Sequence, residues 1–298
     1  MSTTYLVTGG AGVIGSHLAD ALLAAGHGAV ILDDLSTGDR ARLADAWPSP
    51  RLRFVRGSAL DERLVGELLS RCDGAVHAAH SVDVRVLADA AHRLGRPLLS
   101  VGGGGAEGPG GAGGPGGAVG PSVTGVRIFG EVVGPRRVPA YGAVLGGFAA
   151  RAVAGEAIGA VGVGEAADVV EVAGGGGPRR RFTHVTDVVD ALVRLLAAGG
   201  AAGRVLDLAG TEGVTDAELA ALVARRADMG APPDPTSPPD PTSPPATATA
   251  ALSELTGWVP RFTLDRLVDA ALAEARRAAS SLVPGRRAEE LAPVQPLS

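Results

Sequence analysis

Between an apolar run, Tyr5-Leu6-Val7, and a helical pattern, Ser16-His17-Leu18-Ala19-Asp20-Ala21-Leu22-Leu23, lies Thr8-Gly9-Gly10-Ala11-Gly12-Val13-Ile14-Gly15. A second apolar run, Ala29-Val30-Ile31-Leu32, ends on Asp33. Strand, glycine turn, helix, strand and acid in that order leave few folds open. They read as the first βαβ unit of a parallel sheet whose turn admits a dinucleotide pyrophosphate. Gly9 permits the tight turn. Gly12 lets backbone N–H groups approach phosphates, because no Cβ intervenes, and Gly15 lets the helix lie close on the sheet. From Val13 and Ile14 onward the helix start offers unpaired N–H groups and a partial positive charge. Asp33 stands 18 positions after Gly15, where a carboxylate accepts both ribose hydroxyls.

Alternation continues downstream. Asp34-Leu35-Ser36-Thr37-Gly38 is a polar loop placed to sit against the adenine. Residues 51–55 read as a strand ended by Gly57-Ser58, with Ser58 and Ala59 beside the cofactor, and 61–70 as an amphipathic helix. Residues 74–79 form a buried strand running toward the cofactor, 84–94 a helix, and 97–101 a strand. The pattern predicts an α/β fold: a Rossmann-type, doubly wound parallel sheet with a smaller C-terminal substrate-binding region.

The alternation then breaks. From Gly102 to Gly120, 12 of 19 residues are glycine, with no apolar periodicity, which predicts a flexible surface loop. Residues 123–129 resume as a strand, 142–154 as a helix and 180–185 as a strand, followed by a helix capped by Thr186 or Asp187. Residues 205–208 are a strand, and Thr215 caps a helix to Arg226. Pro-Pro-Asp-Pro-Thr-Ser occurs twice in tandem between Pro232 and Pro245, a polyproline-like loop. Helices follow at 251–255 and 264–278, and a loosely ordered tail beyond 284. The expected organisation is a dinucleotide-binding domain over 1–130, completed by 179–210, with a substrate-binding region from 131–178 and 211–284.

Composition narrows the chemistry. All 27 basic residues are arginine; the chain has no lysine. The net charge of -5 gives no reason to expect nucleic acid or an anionic membrane as partner. Cys72 is the single cysteine, so no intramolecular disulfide or thiolate metal cluster is expected, and no metal site is expected elsewhere. No apolar run reaches membrane-spanning length and no leader pattern opens the chain, so a cytoplasmic protein is expected.

The motifs resemble the extended short-chain dehydrogenase/reductases, in particular their NAD-dependent epimerase/dehydratase branch. The resemblance rests on residues 8–15, on Leu32-Asp33-Asp34-Leu35-Ser36-Thr37-Gly38 and on Val76-His77-Ala78-Ala79. It extends to 127–136, similar to the family's Arg-Tyr-Phe-Asn-Val-Tyr-Gly-Pro-Arg, to 180–187, similar to Arg-Asp-Phe-Val-His-Val-Asp-Asp, and to 255–260, similar to Leu-Gly-Trp-x-Pro. It implies NAD(P)H as cofactor, with Ala78, Ala79, His80, Ser100, Ile128 and Phe129 joining the residues above in its site.

The resemblance also implies a Tyr-x-x-x-Lys dyad one helix after the fifth strand, where the tyrosine exchanges a proton with the substrate oxygen. Here that place holds the glycine-rich stretch. The only tyrosines are Tyr5 and Tyr141, and without lysine the dyad cannot form. Gly130 stands where the family has asparagine, and the Pro-Asp-Pro-Thr-Ser repeat where it has an arginine-bearing loop. Ser100 and His80 are the remaining catalytic candidates. His77 reads as a satisfied core histidine, His184 with Asp187 as a strand-to-helix corner, and Phe182 and Trp258 as core anchors. Asp33 favours NAD, while nearby Arg40 and Arg42 keep NADP open.

A nicotinamide site without a dyad suits a substrate that stabilises its own developing alkoxide. An atypical relative, an angucyclinone ketoreductase of antibiotic biosynthesis, resembles this chain in lacking the dyad. The first expectation is therefore reduction of a small-molecule aromatic polyketide ketone. The rivals are a nucleotide-sugar epimerase or dehydratase with a displaced site, and a non-catalytic NAD(P)-binding module.

Overall fold

In the computed structural model the apolar runs form strands and the periodic stretches form helices. The structure describes residues 2–79, 83–103, 123–137, 143–156, 158, 179–198, 201–210, 213–229 and 249–281. The first half runs β1 (Thr4–Thr8), α1 (Val13–Ala24), β2 (Gly28–Asp33), β3 (Leu52–Arg56), α2 (Glu62–Ser70), β4 (Gly74–His77), α3 (Arg85–Leu94) and β5 (Leu98–Gly103). A short 3-10 turn at Arg40–Leu43 lies between β2 and β3. The second half runs β6 (Val123–Phe129), β7 (Glu131–Val133), α4 (Ala143–Val153), β8 (Phe182–His184), α5 (Val185–Ala198), β9 (Val205–Ala209), α6 (Asp216–Arg226), α7 (Ala250–Thr256) and α8 (Leu264–Ser281).

Seven strands form one sheet in the order β3-β2-β1-β4-β5-β6-β9, every pair parallel. Because side chains alternate along a strand, two apolar faces result. Tyr5, Val7, Ile31, Val76 and Leu99 pack under α1, α5 and α7, while Leu6, Leu32, Ala75 and Leu98 pack under α2 and α3. This is the doubly wound arrangement that the alternation of strands and helices predicts. The carboxyl ends of the strands, where ligands bind in such sheets, carry the glycine turn and Asp33.

A second core joins α4, α6 and α8 to β7 and β8. Phe148, Phe182, Leu219, Leu267 and Val268 meet there, all fully buried. Trp258 does not belong to it. Its ring packs with the sheet core, and its indole N–H donates to the Asp187 carbonyl at 2.9 Å.

Several expectations need correction. Gly102 and Gly103 belong to β5, paired with Arg127 and Ile128 of β6, so the strand runs two residues into the glycine-rich segment. Ala78 and Ala79 lie beyond β4. Neither Thr186 nor Asp187 caps α5, which starts at Val185 directly after β8. The Asp187 carboxylate accepts the backbone N–H groups of Arg261 and Phe262 instead. Strand β7 was not expected. It is three residues long, and Gly130, at φ +87°, separates it from β6. A side chain at Gly130 would collide with the Arg181 carbonyl of the chain beside it. Thr215 does cap α6, in a reciprocal capping box with Glu218. The expectations for the remainder of the glycine-rich stretch, the proline repeat, the tail, Tyr141 and His80 fall outside the described residues.

Candidate cofactor site

The glycine turn is built from backbone constraints. Gly9 adopts φ +69°, and a Cβ on it would stand 2.6 Å from the Ala79 Cα. Its N–H donates to the Leu32 carbonyl at 3.0 Å, tying the turn to the end of β2. A Cβ on Gly15 would collide with Gly9 and Gly10, so α1 approaches the turn only because this residue is glycine. Gly10 has a role the glycine triplet did not assign: a side chain there would run into Ile31 of β2. Gly12 differs, since its Cβ would meet only the Gly9 carbonyl oxygen, at 3.0 Å. Glycine at this position therefore keeps the turn's own carbonyl free of a side chain.

Helix α1 begins at Gly12 with no side-chain cap and no acid in its first turn. Its positive end is left for an anion. Across the turn, Asp33 is 7% exposed. Its carboxylate accepts the Ala11 N–H at 2.8 Å and the Leu35 N–H at 2.9 Å. A carboxylate has about four acceptor positions, so capacity for ribose hydroxyls remains. Residues 34–38 fold over this acid: a Cβ on Gly38 would stand 2.6 Å from an Asp33 oxygen. Ser36 holds the exposed Asp34 carboxyl below its ordinary pKa by hydrogen bonding. Ser58 and Ala59 form the turn after β3, where the Ser58 hydroxyl accepts the Leu60 N–H. Ala78 donates to the Thr8 carbonyl at 2.9 Å, and Ala79 lies against Gly9.

The two arginines that kept NADP open are both engaged. The Arg40 guanidinium lies 4.0 Å from the centre of the Trp47 ring. Arg42 donates to the carbonyls of Ala11, Thr37 and Arg136.

Ser100 is not at a strand end. It lies inside β5 at 3% exposure, beside His77 and three residues short of the terminus. Parallel register puts Thr8, His77 and Ser100 on one face in one row, and Thr8 Oγ1 and His77 Nδ1 share a hydrogen bond of 2.7 Å. Ile128 is buried in the sheet core, while Phe129 is half-buried with the Arg127 guanidinium 5.7 Å from its ring. Arg127 forms a two-point ion pair with Asp207 of β9.

Burial pushes the Tyr5 phenol up from its ordinary pKa, the reverse of what a proton-transferring tyrosine needs. Burial also raises the Cys72 thiol to about 11. His184 stacks on Phe262 at 3.8 Å, and burial, with help from His17, lowers its pKa to about 4. Among the described residues no three potential metal ligands come together, and no helix is long and apolar enough to cross a membrane.

The fold and the cradle define a nicotinamide-dinucleotide protein of the Rossmann class. The family model for the NAD dependent epimerase/dehydratase family matches residues 5–94 and 118–209, more than half of the chain. The chain belongs to that family, whose cofactor is NAD. Over 63 residues it is 52% identical to the UDP-glucose 4-epimerase of Mycolicibacterium smegmatis, a match spanning 21% of this chain and 20% of that relative's length. Its fold is similar to that of a dTDP-glucose 4,6-dehydratase from Bacillus anthracis solved in complex with NAD, with TM-score 0.71 and 17% identity, covering 94% of this chain and 98% of the other. It is also similar to a UDP-glucose 4-epimerase from Thermotoga maritima solved with UDP-glucose, with TM-score 0.67 and 22% identity, covering 93% and 99%. The interruption of the family match, residues 95–117, takes in β5 and most of the glycine-rich stretch, where the resemblance puts the dyad.

Proposed function

We propose that the chain is an NAD-dependent enzyme that acts on a nucleotide sugar and moves its proton without a Tyr–Lys dyad. The observation that carries the cofactor half is Asp33: a buried carboxylate at the carboxyl end of β2, aligned by two N–H groups beside an uncapped helix start. Bound NAD supplies hydride acceptance and return. Toward it, Val13 and Ile14 present backbone N–H groups to the pyrophosphate, Gly12 gives its own N–H to the Gly9 carbonyl and so shapes the turn beneath them, and Asp33 takes the ribose hydroxyls. Residues 34–38, Ser58 and Ala59 surround the adenine end, and Ala78, Ala79 and Phe129 line the approach to the nicotinamide, with Ser100 and Ile128 buried behind them. Engagement of Arg40 and Arg42 elsewhere leaves the 2′ position without a free cation at these residues and favours NAD over NADP.

The substrate class is taken from the relatives, whose names are UDP-glucose 4-epimerase and dTDP-glucose 4,6-dehydratase. Residues 131–178 and 211–284, the region expected from the sequence to bind substrate, are where that sugar nucleotide would sit. Reduction of an angucyclinone-type ketone is supported by one fact, the absence of lysine, and the relatives described above are sugar-nucleotide enzymes by name.

Titration of the purified chain with NADH and NADPH, read by nicotinamide fluorescence, tests the cofactor. Asp33→Asn should weaken NADH about tenfold, the loss of one charge-assisted hydrogen bond, and narrow the preference over NADPH. Unchanged NADH affinity would remove Asp33 from the site. Incubation with UDP-glucose and dTDP-glucose, followed by chromatography, tests the substrate. Consumption of an angucyclinone ketone with no conversion of either sugar nucleotide would replace the reading with the ketoreductase.

A further inference from the structure

Arg42, half-buried after the 3-10 turn begins, touches three separate segments through one guanidinium. Its Nη1 donates to the Ala11 carbonyl at 3.2 Å and to the Thr37 carbonyl at 3.3 Å, and its Nε donates to the Arg136 carbonyl at 2.8 Å. Ala11 is the residue before Gly12. A peptide unit is planar and trans, so the direction of the Ala11 carbonyl sets the direction of the Gly12 N–H. That peptide is held on its oxygen side by Arg42 and the Asp39 N–H, and on its hydrogen side by the Gly9 carbonyl. Arg42 thus fixes the plane from which α1 starts.

The third acceptor lies 94 residues away, in the loop between β7 and α4. Arg136 sits there at φ +64°, an uncommon conformation for a residue with a side chain. Its own guanidinium returns to the first half of the molecule, ion-paired to Asp20 of α1 at 2.7 Å and to Asp45. Arg42 reaches out to the backbone of Arg136, and Arg136 reaches back to α1. The two arginines close a ring that contains the glycine turn and the entry to the second core.

We infer that Arg42 is a positioning residue for the dinucleotide, joining the glycine turn to the β7–α4 loop so that cofactor binding at the turn is felt at the loop. The inference rests on the cofactor reading above, and the test separates the two. Hydrogen–deuterium exchange on the full chain, with and without saturating NADH, should show protection by NADH both at residues 9–12 and at residues 131–137. In Arg42→Ala, NADH affinity should fall about tenfold, and at saturation protection should persist at 9–12 and vanish at 131–137. Arg42→Gln, which keeps part of the stem and one donor, covers the case in which the alanine variant does not fold, and should fall between the two.

Protection of neither segment in the unaltered chain would overturn the cofactor reading and the inference with it. Protection at 9–12 without protection at 131–137 would overturn only the coupling. Protection at 131–137 that survives in the variants at saturation would assign Arg42 a purely structural role.

Discussion

Two junctions at the carboxyl ends of this sheet have fared differently. Between β1 and α1, backbone requirements are met residue by residue: positive φ at Gly9, no room for Cβ at Gly15, and a Cβ on Gly12 that would press on the Gly9 carbonyl. Between β5 and β6, the strands pair in six registered positions from Leu98↔Val123 to Gly103↔Ile128, yet the family match is interrupted from 95 to 117, across β5 and most of the segment that joins it to β6. Register is set by strands whose apolar side chains face a core, and those are intact. Proton transfer needs particular side chains on the connection, and with no lysine in the chain the family's pair is gone. On the proposed reading, binding rests on the β1–α1 junction and the family's chemistry on the connection after β5, so one can change without the other.

The comparison breaks first at its stronger junction. Gly9→Val forces a β-branched residue into the left-handed region and a side chain into Ala79, costing about 3–5 kcal/mol. Urea unfolding should show this loss together with loss of NADH binding; a variant that unfolds like the parent would mean the turn tolerates what the geometry forbids.

A smaller effect sharpens the contrast at a corner where a side chain, not the backbone, carries the constraint. His184 is held neutral by burial, with a folded pKa of about 4 against an ordinary 6.5. Between those values the unfolded chain binds the proton and the folded chain does not. Stability should therefore decline as pH falls from about 6.5 to about 4, by up to roughly 3 kcal/mol, and level off below. His17, also lowered by burial, adds in the same direction. Urea midpoints across this window should flatten in His184→Gln; an equal slope in both proteins would clear His184.

The smallest effect concerns Tyr5. Tyr5→Phe removes a phenol that is buried in the sheet core. NADH affinity and any turnover should stay within about twofold, a change near RT. A larger fall in turnover, with affinity kept, would restore a tyrosine to the chemistry.

The sheet was readable in the sequence because its signals are local. Alternating apolar strands, amphipathic helices, Asp33 at a strand end and Thr215 three residues before Glu218 each need only neighbours in the chain. What escaped is non-local. Strand β7 depends on Gly130 meeting the Arg181 carbonyl, 51 residues on. Asp187 has a cap residue's composition, yet its partners are the N–H groups of Arg261 and Phe262. Ser100 was placed near the strand's end, because β5 continues through glycines that composition marks as loop. In the candidate site, the glycines and Asp33 were visible, but Arg42 was read as a charge near the ribose. Its carbonyl acceptors, up to 94 residues distant, carry no sequence signal.

The Asp187–Trp258 contact has a further consequence. Helix α5 covers the central sheet, and its first turn is held by residues 258–262, in the last quarter of the described chain. Trp258 fills the same core as Val7. A fragment ending before residue 249 would keep all nine described strands and still expose the end of α5, and a separately made C-terminal piece would have no sheet to bury its indole. On a ribosome the first turn of α5 would lack these partners until residues 258–262 had emerged.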